Sequence, residues 1–171
     1  MQDSARTQAI DLETAAGQDK LNLRLWLRLL TCANIIETEV RSRMRVQFSL
    51  TLPQFDLMAQ LERAPETGLT MGELGSRMMV SAGNITGITD RLERDGHVMR
   101  VRSSADRRSQ NVRLTDSGRS YFAVVARAHE NWIADMFDDM PVKSRTELFD
   151  RLGTLKQTVL AHTTGGNGGD D

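Results

Sequence analysis

The sequence predicts a mainly α-helical protein with one small β-hairpin, and three observations support that prediction. Apolar residues recur at spacings of three and four along most of the 171 residues. Two stretches that flank a polar segment, 97–102 and 111–115, alternate as short β-strands do. Thr51 and Thr70 each precede a Gln or Glu by three residues, a capping-box pattern that starts helices. The predicted order is four helices, a strand, a basic loop, a strand and two more helices.

A long amphipathic helix follows the polar stretch 1–17, which we expect to be flexible. Its apolar stripe is about six turns long and consists of Leu25, Leu29, Cys32, Ala33, Ile36, Val40 and Met44. A helix of this length cannot bury its whole stripe against a small domain, so we expect it to pair with a second subunit. Residues 18–50 and 119–162 are therefore predicted dimerisation helices. The Gly-rich, acidic end, 163–171, is predicted to be disordered.

Two short helices in the central region, 71–79 and 81–95, have the size and spacing of a helix-turn-helix, and Gly96 is a typical residue to end the second. The exposed side of the second helix is predicted to carry small or polar groups, namely Ser81, Gly83, Asn84, Thr86, Gly87 and Arg91. Such groups allow close approach to base edges and can hydrogen-bond to bases or phosphates. Glycine inside a helix costs about 1 kcal/mol relative to alanine, which favours close approach over a merely solvated face.

The predicted hairpin is strongly basic, although the net charge of the whole chain is −1. Seven Arg and three Asp lie between Arg94 and Arg119. Arginine suits bidentate contacts to phosphate and guanine and insertion into a narrow minor groove. A basic hairpin directly after a helix-turn-helix is the arrangement of a winged helix. The sequence therefore predicts that residues 51–118 form a winged helix-turn-helix lobe that binds double-stranded DNA.

The predicted wing resembles that of the MarR family. Residues 106–118 fit the family pattern D-x-R, five residues and then L-T-x-x-G, and residues 71–74 and 88–96 resemble its helix-turn-helix. The resemblance spans about residues 21–161 and implies a homodimer whose first and last helices interlock. Two-fold symmetry then predicts a pseudo-palindromic operator with half-sites about one helical turn apart.

The resemblance also implies roles for individual residues in DNA binding. Arg108 would enter the minor groove, braced by a charge-assisted hydrogen bond that it donates to Asp106, and Arg107 belongs to the same predicted wing contact. The residues that would face the major groove, next to Gly83, are Ser81, Asn84, Thr86 and Arg91.

A small-molecule effector is a further implication, because members of this family usually have a pocket where the dimerisation helices meet the winged lobe. The residues expected to line it are Trp26, Leu30, Asn34, Phe55, Met58 and His129 or Trp132. Together they would make an apolar pocket with a few polar groups, suited to an aromatic acid. Ordinary core packing is the alternative for each of them.

Residues 25–32 and 51–57 are similar, more narrowly, to MarR regulators of hydroxycinnamate and related aromatic catabolism. Some of those regulators respond to an aromatic CoA thioester, and Arg41, Arg43 and Arg45 would then hold the CoA phosphates. The alternative is solvated arginines, or arginines that touch DNA phosphates. The expected function is a ligand-responsive repressor that an aromatic acid or its CoA thioester releases from DNA.

Two other functions stay open at this point. Some MarR-type proteins sense peroxide through a single cysteine on the first helix, so Cys32 offers a redox alternative, although it lies within the apolar stripe and such a thiol needs access. A helical adaptor that binds only protein would explain the long helices but not the basic hairpin.

The sequence predicts neither an enzyme nor a cofactor. His97, His129 and His162 lack metal-ligand spacing with Cys or carboxylates, and no G-x-S-x-G, P-loop or dinucleotide motif is present. The polar residues 1–19 do not resemble a signal peptide, and no apolar run approaches the roughly 20 residues of a membrane span. We therefore expect a cytoplasmic protein that makes no membrane contact.

Overall fold

The computed structural model of the chain describes residues 20–78, 82–102 and 110–165. Within these ranges the elements are α1 (Leu21–Phe48), α2 (Leu52–Glu62), β1 (Leu69–Thr70), α3 (Met71–Met78), α4 (Ala82–Arg94), β2 (Val98–Arg102), β3 (Gln110–Leu114), α5 (Asp116–Phe137) and α6 (Val142–Gly165). The predicted fold class, mainly α with a small antiparallel hairpin, is confirmed. The chain divides into two compact units between His129 and Glu130. Across the described ranges, no helix combines the length and apolar character needed to span a membrane.

Both predicted capping boxes are present and explain where α2 and α3 begin. Thr51 Oγ1 accepts from the Gln54 N–H at 3.4 Å, while Gln54 Oε1 accepts from the Thr51 N–H at 2.8 Å. Glu73 Oε2 accepts from the Thr70 N–H at 2.7 Å, and Thr70 Oγ1 accepts from the Glu73 N–H at 3.2 Å. Hydrogen bonding from the Thr70 backbone lowers the pKa of Glu73, because it stabilises the ionised carboxylate.

The sheet has three antiparallel strands in the order β1-β3-β2. The predicted hairpin is its β2–β3 part, in which Val98 pairs with Leu114 and Arg102 with Gln110. The sequence analysis missed β1, since two residues carry no periodicity. Gly68 precedes β1 with a φ of +80°, and a Cβ at this position would lie 2.3 Å from the Val112 carbonyl oxygen. Only glycine therefore allows the chain to approach β3 here.

The core of the first unit is formed by α2, α3, α4, the sheet and the first turns of α5. Its buried side chains include Leu57, Met58, Leu61, Leu69, Leu74, Ile85, Leu92, Val98, Val112, Leu114 and Val125. The spacing of Phe55, Met58 and Leu61 predicts one inner face for α2; Met58 and Leu61 are buried, and Phe55 packs against the same cluster while half-buried. One continuous core thus fixes the helix-turn-helix pair and the hairpin to each other.

The first helix is mostly uncovered, although its sequence pattern is amphipathic. Only Val40 and Met44 of α1 are buried. Large apolar side chains in the first half of the helix are exposed, namely Leu21, Leu23, Leu25, Trp26, Leu30 and Ile35. Cys32 is exposed as well, although its place in the apolar stripe had indicated burial. Within the described residues, the stripe is buried at its end, at Val40 and Met44, and is exposed nearer its beginning, at Leu25, Cys32 and Ala33.

The last helix has the same character within the second unit. Exposed apolar side chains on α6 are Val142, Leu148, Phe149, Leu152, Val159 and Leu160. The helical spacing of Leu148, Leu152, Leu155 and Val159 predicts an apolar stripe, and all of these but Leu155 are exposed. The predicted disorder from 163 onwards is wrong for 163–165, where α6 continues. The hydroxyl groups of Thr158 and Thr163 bond to the carbonyls of Thr154 and Leu160 at 3.0 Å, which satisfies the hydroxyls without leaving the helix.

Candidate nucleic-acid interface

Helix α4 has one buried and one exposed face. Ile85 and Leu92 are completely buried, Thr89 is buried beside them, and Ile88 is 9% exposed. The other face is exposed and carries Gly83, Asn84, Thr86, Gly87, Asp90 and Arg91. The exposure predicted for Gly83, Asn84, Thr86, Gly87 and Arg91 is therefore observed. The buried face holds α4 on the core, so that its small and polar residues face outwards.

The two glycines of α4 have no role in packing that the described residues show. A Cβ built at Gly83 or Gly87 would meet no heavy atom of the described chain within 4 Å. Neither glycine has a positive φ, so alanine would be compatible with the backbone. Each glycine thus makes the helix about 1 kcal/mol less stable than alanine would. In return, the backbone at Gly83 and Gly87 is exposed without a side chain over it.

Arg91 is, with Arg94, one of two exposed arginines of α4, and it pairs with the residue that follows the end of the helix. Its Nε donates to Asp95 Oδ2 at 2.9 Å, in an exposed pair four residues apart. Such pairs contribute little to stability, so the guanidinium can exchange this partner for a phosphate or a base edge. The other DNA-binding residues that the sequence predicted, Ser81, Asp106, Arg107 and Arg108, lie outside the described residues.

Arg100 of β2 joins the hairpin to α4, and the sequence analysis did not single it out. Its guanidinium donates to the carboxylates of Asp90 and Glu93, and its backbone N–H donates to Glu93 Oε1 at 3.2 Å. The hydrogen bond to Asp90 is the main cause of a raised pKa for Arg100. Acidic residues three apart on a helix, followed by an arginine on the next strand, are a weak signal in sequence, because their contact depends on the fold.

The L-T-x-x-G segment at the end of the hairpin has a clear structural reason. Thr115 Oγ1 donates to the Gly96 carbonyl at 2.7 Å and accepts from the Gly118 N–H at 2.9 Å. A Cβ at Gly118 would lie 1.9 Å from the His97 carbonyl oxygen, so only glycine fits. The threonine also starts α5 at Asp116, three residues before the predicted boundary at 119. This segment ties the end of the wing to the end of α4.

An aromatic contact extends this junction to the first helix. The His97 ring stacks on Tyr121 with centroids 4.2 Å apart and an interplanar angle of 5°. The Tyr121 hydroxyl donates to the carbonyl of Phe48, the last residue of α1, at 2.8 Å. Burial raises the pKa of Tyr121, so the phenol is the stable form. The base of the wing, α5 and the end of α1 are thereby linked.

The residues predicted to bind an effector are not all in one place. Phe55 lies 5.0 Å from His129 and 5.4 Å from Phe122, measured between ring centroids, so these rings form a cluster. Met58 is completely buried in the core. Trp26, Leu30 and Asn34 are exposed on α1; Trp132 is buried in the second unit.

The arginines predicted to hold CoA phosphates already have partners, with one exception. Arg41 pairs with Glu37, and Arg43 Nε donates to Glu39 Oε1 at 2.7 Å. Arg45 is exposed in the last turn of α1. Within the described part of the chain, these arginines therefore lie along the surface of α1 and do not converge on one site.

Two surface cavities occur among the described residues. One, of about 500 Å³, lies in the first unit and is lined by Ala64, Glu66, Met99, Arg113, Leu114, Thr115, Asp116 and Arg119. The other, of about 450 Å³, lies in the second unit and is lined by Phe137, Arg145, Thr146, Leu148, Phe149 and Leu152. None of the predicted effector-binding residues lines either cavity. The same ranges contain no group of three or more His, Cys, Asp or Glu that could hold a metal ion.

An α4 with an exposed polar face, a preceding short helix and a hairpin clamped to it define a winged helix-turn-helix lobe. The MarR family model matches residues 50–110, most of that lobe. Over 155 residues the chain is 31% identical to the HTH-type transcriptional repressor YetL of Bacillus subtilis, an alignment that covers 84% of this chain and 90% of YetL. The chain therefore belongs to the MarR family of transcriptional regulators.

Two further similarities agree with this assignment. The chain is 38% identical over 115 residues to the transcriptional activatory protein BadR of Rhodopseudomonas palustris, which covers 66% of this chain and 65% of BadR. A MarR family transcriptional regulator from Silicibacter pomeroyi has the same fold, with a TM-score of 0.69 and 28% sequence identity, covering 84% of this chain and 99% of that one. These similar proteins are transcription regulators rather than enzymes, as the sequence predicted.

Proposed function

We propose that this protein is a homodimeric regulator that places α4 in the major groove of double-stranded DNA. The observation that carries the proposal is the division of α4, which buries Ile85 and Leu92 and exposes Gly83, Asn84 and Thr86. A face of this kind can hydrogen-bond to base edges and phosphates and leaves little bulk in the groove.

The uncovered apolar faces support a dimer. Six large apolar residues in the first half of α1 and six on α6 are exposed. Contiguous apolar surface on a soluble chain is typical of a protein interface, and family resemblance points to a second copy as its partner. Two-fold symmetry would give a pseudo-palindromic operator with half-sites about one turn apart.

We propose repression as the direction of control, with release by an aromatic acid. YetL, a repressor, matches over 84% of this chain. The ring cluster of Phe55, Phe122 and His129 supplies aromatic surface with one polar ring, which suits such an effector. An aromatic CoA thioester is the alternative effector, but the Arg41 and Arg43 ion pairs would have to open to receive its phosphates.

Cys32 keeps redox sensing as a second candidate, because its side chain is exposed on α1 within the single chain. Access is one of the two conditions for a sensor thiol. If peroxide released DNA from the wild type but not from Cys32→Ser, redox sensing would replace the effector proposal. Equal sensitivity of the two proteins would eliminate it.

The direct test is a binding titration with the DNA immediately upstream of the protein's own gene, over a series of salt concentrations. Specific binding that weakens steeply as salt rises is the expected result, because phosphate contacts release counterions. Aromatic acids and their CoA thioesters are then added to the complex, and the compound that releases the DNA identifies the effector class. Absence of binding to this DNA and to a random duplex pool at low salt would contradict the proposal and favour the helical adaptor.

A further inference from the structure

The ion pairs of Arg100 differ from the others in the described ranges. Arg41–Glu37, Arg43–Glu39, Arg91–Asp95 and Lys143–Glu147 each join residues only four apart in the sequence. Arg119–Glu62 joins two helices, with both side chains more than 40% exposed. Arg100 is only 22% exposed, and its two pairs join the hairpin to α4.

Arg100 also lies in the middle of β2, where its position can affect the direction of the hairpin. It pairs with Val112 of β3 in the sheet register, and β2 continues for two residues beyond it, about 7 Å at about 3.3 Å per residue. Residues 103–109, which the sequence predicts as the basic loop of the wing, follow β2 and lie outside the described residues. Because Asp90 and Glu93 hold both the side chain and the backbone of Arg100, the hairpin cannot rotate about α4 at this point without breaking them.

We propose that Arg100 is a positioning residue for DNA binding, which sets the angle between the wing and α4. With α4 in the major groove, that angle decides whether the wing reaches the adjacent minor groove. The inference rests on the proposed DNA-binding function. It does not require Arg100 itself to touch DNA: the residue acts through Asp90 and Glu93 on one side and through the strand that leads to the loop on the other.

Removing the two anchors distinguishes a clamp from a simple charge effect. Asp90→Ala/Glu93→Ala removes two negative charges from the helix that faces DNA, so electrostatics alone predicts tighter binding. A clamp predicts the opposite, because the guanidinium loses both acceptors. We expect the double variant of the full-length protein to bind at least about tenfold more weakly at constant salt, measured by fluorescence anisotropy on a duplex recovered from a random pool. Binding equal to or tighter than that of the wild type would overturn the proposal.

The single variant Glu93→Ala tests the clamp while leaving Asp90 in place, so that any direct contact between Asp90 and a base is kept. Glu93 is less exposed than Asp90, 38% against 48%, and it holds the Arg100 backbone as well as the guanidinium. We expect this single variant to weaken binding in the same direction. Unchanged affinity would contradict the clamp.

A double-mutant cycle with the wing arginine supplies a readout that general destabilisation would not give. If Arg100 acts by placing the wing, Arg100→Met should weaken binding about tenfold in the wild type but less than about threefold once Arg108→Ala has removed the wing contact. Arg119→Met, which also removes one positive charge and one ion pair, is the matched control and should change affinity less than about threefold. Additive effects of Arg100→Met and Arg108→Ala would overturn the proposal.

Melting curves followed by circular dichroism separate folding from positioning. If Arg100→Met does not fold, the anchor variants decide, since alanine favours the helix at both positions. If the wild type binds no DNA, the proposed function itself fails. If the wild type binds and Arg100→Met binds as well as Arg119→Met, only the role of Arg100 is refuted.

Discussion

Helices α4 and α6 are both amphipathic in sequence, but they use their faces in opposite ways. In α4 the large apolar residues Ile85 and Leu92 are completely buried and the exposed face is polar. In α6 the large apolar residues are the exposed ones, with Phe149 at 77%. A face that is polar once the core has formed is suited to nucleic acid. A face that stays apolar is suited to another protein surface.

The difference shows that amphipathic periodicity alone does not tell which surface a helix will present. The α4 stripe is covered by its own lobe, whereas much of the apolar surface of α1 and α6 is exposed in their respective units. Function therefore depends on what remains exposed after the chain has folded. Variants of the α6 and α4 faces, each with a control, test this contrast, and a variant at the start of α3 follows them.

The largest effect is expected from breaking the apolar face of α6. Leu148→Glu/Leu152→Glu places two charges on a surface that we expect to be buried in the dimer, where unpaired charges are strongly unfavourable. The protein should become monomeric and lose specific binding to a two-fold operator, as measured by analytical ultracentrifugation and anisotropy. Thr154→Glu, which adds a charge at an exposed position on the opposite side of the same helix, is the control. A double variant that remains dimeric would show that the α6 face is not an interface.

A smaller effect is expected from replacing Arg91 on the polar face of α4. Arg91→Ala should weaken operator binding by about 1–3 kcal/mol if Arg91 contacts a base edge, and should relax sequence preference there. Arg127→Ala, which removes the same charge from an exposed position on α5, should change affinity far less. Equal losses for the two variants would mean that Arg91 contributes only its charge.

The glycines of α4 allow stability and function to be separated. Gly87→Ala should stabilise the protein by up to about 1 kcal/mol, because alanine favours the helix and its Cβ would meet no atom of the described chain within 4 Å. The same methyl group should weaken DNA binding if the groove floor comes close to the helix backbone. Chemical denaturation and anisotropy measure the two quantities.

Gly153→Ala on α6 is the matched control for that variant, because its Cβ would also have no neighbour within 4 Å in the described ranges. It should stabilise the helix and leave DNA affinity unchanged. If Gly87→Ala binds DNA as tightly as the wild type, the glycine is not there for close approach.

The smallest effect concerns the start of α3. The pKa of Glu73 is lowered by its bond from Thr70, so the ionised carboxylate stabilises the fold above the ordinary Glu pKa, and this contribution is lost as pH falls through the lowered value. Glu73→Gln keeps the capping geometry without the titration. Its melting temperature should therefore fall less between neutral and acidic pH than that of the wild type. Identical pH profiles would exclude the carboxylate as a contributor.

Local features of the fold were predictable from sequence because they depend on neighbouring residues. The two capping boxes, the buried stripe of α4 and Gly96, with its φ of +77°, were all readable in this way. The hairpin was predictable from its change of period. Each of these signals lies within a few residues of the structure that it determines.

Features that depend on the fold itself were not predictable. β1 is too short to carry a pattern, and the Arg100 contacts join residues seven and ten apart whose meeting requires the hairpin to lie on α4. The exposure of Cys32 shows another limit, since an apolar stripe in the sequence does not tell whether the chain itself covers it. The predicted effector residues depend on helix crossings for the same reason.

The most direct test of the central claim is selection of duplexes from a random pool by the full-length protein, followed by sequencing and a salt titration on the enriched duplex. We predict a pseudo-palindrome with half-sites about one helical turn apart, bound with an affinity that falls steeply as salt rises. That result would require both the polar face of α4 and a two-fold partner. A pool that shows no enrichment at low salt would contradict the claim that the exposed face of α4 reads DNA.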